Sequence, residues 1–274
     1  MTEHEPSIPG AHRFALAIEY DGSSFNGWQR QSSPKIATVQ ETLENALSQV
    51  ADTPVQTTCA GRTDSGVHAT CQVVHFDSPI DRGSKAWVRG VNSLLPGSVR
   101  VVWAKTVTDE FHARFSATAR RYTYIILRDK IASALCAGKI TTIHYDLDIE
   151  GMQTGANYLL GEQDFSSFRA AGCQSRSPYR EVFSARIGVR GKLCFLDIRA
   201  NAFLQHMVRN IVGALLVVGR GDKSPDWIGQ LLEARDRTMA GTAAPADGLY
   251  LMQVDYPAHF QLPETSRMPL ILGE

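Results

Sequence analysis

Apolar and polar positions follow one another along this chain in a recurring order. RFALAIEY (13–20) has the apolar and aromatic content of a strand and stops at the turn pair Asp21-Gly22. TVQETLENALSQV (38–50) has helical spacing. Val39, Leu43, Ala46, Leu47 and Val50 share one face, and Thr38 with Glu41 makes a capping box. VQTTCA (55–60) and CQVVHFD (71–77) read as strands. SKAWVRGVNSLL (84–95) reads as a helix capped by Ser84 and closed by Pro96-Gly97, and VRVVWAKTV (99–107) as a further strand. The order β-α-β-β-α-β predicts a split βαβ arrangement, with helices on one face of an antiparallel sheet.

A second pass begins near residue 114. ARRYTYIIL (119–127) reads as a strand, MQTGANYLLG (152–161) as a helix ended by Gly161, and 178–201 as a hairpin turning at Arg190-Gly191. Helices at 203–218 and 225–234 and a strand at 248–256 complete the pass. The expected fold is α+β in two similar halves. An N-terminal domain spans 12–113 and a C-terminal domain 114–259, with tails at 1–11 and 260–274. The apolar stretch 202–219 contains His206 and Arg209 and is short for a bilayer span, so it reads as a core helix rather than a membrane segment.

Composition narrows the class. With 43% hydrophobic and 20% charged residues the chain can bury a large core. Five cysteines without a CxxC pair suit a reducing, cytoplasmic setting, and the start MTEHEPSIPGAH lacks the pattern of a signal peptide. Net charge is zero, yet residues 114–220 hold 15 Lys and Arg against 8 Asp and Glu. A basic half rich in arginine permits nucleic-acid binding.

The candidate chemistry gathers near strand ends. CAGRTDSGVHA (59–69) sets the acid Asp64 among Arg62, Thr63 and Ser65, between Gly61 and Gly66. Asp-Gly turns are common, but a long polar loop between two strands is where function concentrates. Arg209 lies one turn into an apolar helix, a costly place for a cation without a carboxylate partner. Pairing Arg209 with Asp64 is the most economical account of both. Cys59, His68, Cys71 and His75 are zinc-ligand types, but no knuckle converges them, so no metal is expected. Glycosidic hydrolysis asks for two carboxylates, whereas this loop offers Asp64 alone. A single carboxylate beside Arg and Tyr suits a nucleophile that forms and then returns a covalent bond. The alternatives are a catalytically silent RNA-binding module and a nucleic-acid N-glycosidase.

YDGSSFNGWQRQ, CAGRTDSGVHA, FHARFSATARRYTY and NAFLQHMVRNIVG together resemble the tRNA pseudouridine synthase A family, the tRNA-uridine isomerases. The similarity includes QVVHF, FSSFRA and GLYL and spares only the tails. It implies two RNA-recognition-like (ferredoxin-like) halves meeting in one extended antiparallel sheet, with the site in the cleft between them. It also implies a homodimer, a tRNA substrate modified at uridine in the anticodon stem-loop, and no cofactor. In that family's terms Asp64 matches the nucleophile. Tyr122 matches the tyrosine lying against the uracil, implicated in removing the C5 proton. Arg209 matches the basic residue that pairs with the catalytic aspartate, and Arg62 the arginine linked to flipping the target base.

Overall fold

The computed structural model describes Gly10 and residues 12–31, 36–264 and 266–273. Of the expected N-terminal tail (1–11), all but Gly10 lies outside the described residues. The fold is mixed α/β, with mostly antiparallel strand pairs and few helices. The chain divides into two compact units, Met1–Thr118 with Gln253–Arg267, and Ala119–Met252 with Met268–Glu274.

In the first unit β1 (His12–Tyr20) lies between β3 (His68–Ser78) and β4 (Val99–Val107), antiparallel to both. Its inward side chains build an aromatic core in which Phe14 and Phe76 stack at 5.4 Å and Trp87 packs on both. The helix Val39–Ala51 begins where Thr38 Oγ1 accepts from Glu41 N, and it buries Val39, Leu43, Ala46 and Leu47. The expected strand 55–60 shrinks to β2 (Thr58–Cys59) because the helix takes the preceding amides. Ser48 Oγ accepts from Val55 N, and the buried Glu44 carboxylate accepts from Thr57 N and Thr57 Oγ1. The expected helix at 84–95 starts one residue early. Asp81 Oδ1, not Ser84, takes the free amide of Gly83, and the stretch runs as an α turn (Gly83–Lys85), a π turn (Ala86–Gly90) and an α turn (Val91–Leu94).

The second unit is organised on β5 (Ala119–Arg128), which pairs parallel with β6 (Thr141–Ile143). Beyond β6 come β7 (Gly161–Asp164), β8 (Tyr179–Arg190) and β9 (Leu193–Ala200), where β9 joins β5 to β8 and β8 carries β7, all antiparallel. Neither β6 nor β7 was anticipated. Gly161, expected to stop a helix, instead opens β7 at φ +82°, and the helix itself is Ile149–Asn157, with Asp148 Oδ1 accepting from Gly151 N. β7 reaches only Val182, and past that point Gln153 takes over: its side-chain amide donates to Ala185 O and accepts from Ile187 N. The apolar helix runs Met207–Gly219, starting later than 203 because His206 turns into the left-handed region (φ +61°). No helix among the described residues is long and apolar enough to cross a membrane.

β10 (Leu249–Asp255) gives its first residues to the second unit and its last to the first. The expected C-terminal tail is partly packed. Leu272 is buried with Ile125, Ile140, Tyr250 and Met252, and Arg190 Nη1 donates to Leu272 O and Gly273 O.

A buried cation holds β1 in register. Arg13 is 6% exposed, donates from Nε and Nη2 to Asp77 at 2.7 Å each, and sends Nη1 to Asp109 O and Phe111 O. Arg13→Met should destabilise the protein by about 3–5 kcal/mol, since Asp77 is left without its partner. Urea unfolding measures this, and Arg13→Met with Asp77→Leu should recover much of the loss.

Candidate active site

The Asp64 loop connects β2 to β3, and its shape is imposed from the segment that follows β1. Trp28 N donates to Thr63 O at 3.0 Å, and the Tyr20 and Thr63 hydroxyls meet at 2.8 Å. Phe25 O accepts from Gly66 N and from Ser65 Oγ. Within the turn, Val67 N donates to Asp64 O, and Gly66 takes φ +80°. Gly61 O accepts from the buried Gln72 side chain at 2.6 Å. Gly61 O, Thr63 O, Asp64 O and Gly66 N thereby each have a fixed partner. Asp64 is partly buried and Arg62 exposed.

Two glycines make this approach possible. A Cβ on Gly22 would lie 2.1 Å from Val67 O, and one on Gly27 (φ +86°) 2.8 Å from Thr63 O. Gly22 N also donates to His68 Nδ1 at 3.0 Å, with the ring 2% exposed. Asp21 does the work of a turn acid, as its sequence context suggests: its carboxylate accepts from Ser23 N and Ser23 Oγ. The motifs YDGSSFNGW and GRTDSGVHA are therefore one local structure.

Tyr122 and Arg209 belong to the second unit. Tyr122 is 8% exposed and packs edge-on against Phe203, centroids 5.1 Å apart at 82°. Tyr124 shares its strand face, as the alternation predicts, but its hydroxyl is committed to Thr141 Oγ1 and Pro245 O, and burial pushes its pKa up. Arg209 is partly buried. Its Nε donates to Ala244 O at 2.8 Å, while Ala244 N returns a bond to Arg209 O. Segment 242–245 thus ties the helix to β5, and it passes so close that a Cβ on Gly213 would lie 2.1 Å from Thr242 O. Sequence reasoning missed Phe203 and this segment. The available signal was Gly213 itself, since a glycine inside an apolar helix marks close backbone approach.

Three of the four zinc-type residues have other occupations, His68 through Gly22 N. Cys59 pairs across from Val74, and burial raises its thiol to about 12 against the lowering effect of Arg62. His75 Nδ1 accepts from Ala113 N, and its ring lies 4.7 Å from that of His112. Burial first, then His112 and Arg13, lower the His75 pKa to about 3 against the raising effect of Asp77. Among the described residues no three His, Cys, Asp or Glu side chains are grouped to hold a metal ion.

Gly27→Ala should cost about 1–3 kcal/mol, because strain at positive φ adds to the clash with Thr63 O. Gly161→Ala, at φ +82° with open space around it, should cost less; thermal unfolding of both variants tests the difference. His75 is neutral when folded and ionises in the unfolded chain below about 6.5, so acid stabilises the unfolded state between 6.5 and about 3. One proton contributes about 1.4 kcal/mol per pH unit over that window. His75→Asn, which keeps an acceptor for Ala113 N, should lose stability less steeply from pH 6 to 4 than the parent.

The sequence pattern of the tRNA pseudouridine synthase family matches residues 16–116 and 156–257. The tRNA pseudouridine synthase A of Vibrio cholerae is 54% identical over 262 residues, covering 96% of this chain and 98% of the relative. That of an Enterobacter species is 52% identical over 270 residues, 98% and 99% of the two chains. That of Idiomarina loihiensis is 52% identical over 262 residues, 96% of this chain and all of its own. With the family pattern running through both strand-end motifs of the first unit and the Arg209 helix, and a relative 54% identical over 96% of the chain, the chain belongs to the tRNA pseudouridine synthase family.

Proposed function

We propose that this protein isomerises uridine to pseudouridine in tRNA, with Asp64 as the nucleophile. The observation that carries the assignment is the Asp64 turn: a single carboxylate, partly exposed, on a loop held by Tyr20, Phe25 and Trp28. Its near-full-length relatives, named as tRNA pseudouridine synthases, supply the substrate class. The reaction breaks the N1–C1′ bond, turns the uracil and joins C5 to C1′. No water is consumed, so one acid that bonds and then releases its substrate suffices. Asp64 attacks C1′ or uracil C6, holding one fragment while the other turns.

The remaining roles follow from side-chain chemistry. A stacked uridine has to leave its stack before the reaction, at a cost of a few kcal/mol. Arg62, exposed and two residues from the nucleophile, offers a planar cation to occupy the vacated place. Tyr122 lies against the flipped base with its hydroxyl directed to the C5 proton, and Phe203 backs its ring. Arg209, steadied by Ala244 O, takes the part of the basic residue that in the family resemblance serves the nucleophile. In this reading the target lies in the anticodon stem-loop, at about positions 38 to 40, where loop bases are open to aromatic and Arg contacts. The enzyme works in the cytoplasm as a homodimer with no cofactor.

The test is incubation of uridine-labelled tRNA with the protein, followed by nucleoside analysis for an isomer of unchanged mass. Asp64→Ala should lower turnover on the order of a thousandfold or more while tRNA binding persists, because phosphate contacts set most of the affinity. Arg209→Lys should keep partial activity and Arg209→Ala little. Turnover by Asp64→Ala within tenfold of the parent would remove the nucleophile assignment. Binding without any isomer would leave an RNA-binding module, and free uracil would mean an N-glycosidase.

A further inference from the structure

The loop RAAGCQSRSPYR (169–180) carries three arginines and no acid. Arg169 Nη2 donates to Cys173 O and Ser175 O at 2.6 and 2.7 Å. From the other side Arg180 donates through Nη2 to Ser175 Oγ at 2.7 Å and through Nη1 to Ser177 O and Tyr179 O. These acceptors are carbonyls and a hydroxyl, all neutral. Among the described residues no carboxylate pairs with Arg169 or Arg180, so no acid offsets them on the loop. Burial lowers the Arg180 pKa. Cys173 opposes that, and repulsion from Arg169 and Arg120 reinforces it, so the cations are held together against their mutual repulsion. Arg176 stands exposed between Ser175 and Ser177, the two residues that these guanidiniums anchor.

The position of the loop in the second unit gives this charge a use. Ala170 N donates to Gln205 O, Asn210 Nδ2 to Phe168 O, and Arg120 Nη1 to Asn201 O. The Ala170–Gln205 bond fastens the loop to the segment 201–206 that carries Phe203 against Tyr122. A phosphodiester is an anion that suits the anchored Arg180 and the exposed Arg176 together, since a planar guanidinium fork matches its oxygens.

We propose that Arg176 and Arg180 bind backbone phosphates of the RNA next to the nucleotide lying against Tyr122, with Arg169 as the positioning residue that sets the loop. This inference rests on the isomerase reading for its substrate. The experiment is equilibrium binding of an unmodified tRNA transcript over a range of KCl, comparing the parent with Arg176→Gln, Arg180→Gln and Arg176→Lys. Each Gln variant should reduce the slope of log K against log salt by roughly 0.7–1 and weaken binding on the order of tenfold, while Arg176→Lys should keep the slope. Arg176 has no anchoring bond in the loop, so Arg176→Gln decides the matter if Arg180→Gln does not fold. Slopes equal to the parent's in the folded Gln variants overturn the proposal, even if their melting temperatures fall. Binding is read without turnover. A parent that isomerises while the slopes stay unchanged therefore refutes this inference alone, and changed slopes without any isomer refute the isomerase reading alone.

Discussion

The structure around Asp64 depends on one constraint: a loop between strands cannot hold a side chain still unless its backbone has partners outside itself. Here those partners come from residues 20–28, some forty positions earlier. β1 is gripped on both edges, so its C-terminal end is among the better-fixed points of the first unit. The turn inherits that fixity through the Thr63–Trp28 and Thr63–Tyr20 bonds. Preorganisation of this kind means that little reorganisation is needed when charge develops at the carboxylate.

Buried charge is used in the same way elsewhere. Arg121 and Arg199 stand directly opposite on β5 and β9, an arrangement that like charges make unfavourable. The Asp197 carboxylate, opposite Thr123, receives Arg121 at 2.8–3.0 Å and the Thr123 hydroxyl, and Arg199 lies over the Phe183 ring at 5.0 Å. The acid and the aromatic ring together offset the repulsion. Glu44 plays a comparable part in the first unit, trading strand length at 55–57 for a firm join between helix and sheet.

Much of this was legible in the sequence. Apolar, β-branched and aromatic content located β1, β4, β5 and β10 to within a residue or so. The motifs around Asp64 and Tyr122 stood out because polar residues there interrupt apolar runs. What could not be read was decided at a distance. The shortening of β2 depends on Glu44, and β6 is a three-residue strand whose neighbour lies fifteen positions back. Phe203 reads as one more apolar residue until Tyr122 is set beside it. Gly22 and Gly27 look like ordinary turn residues, yet each marks a place where another backbone presses close.

Gln153 has a consequence for how this molecule meets others. Beyond Val182 the outer margin of β8 would present bare amides and carbonyls, the template on which stray chains add as extra strands. The primary amide of Gln153 imitates a peptide group at Ala185 and Ile187, with donor and acceptor in the spacing a neighbouring strand would use. It satisfies the margin without offering a further one, because a side chain ends where a strand would continue. One uncharged residue thereby disfavours strand addition at Ala185 and Ile187, in a stretch of sheet edge that has no further strand beside it.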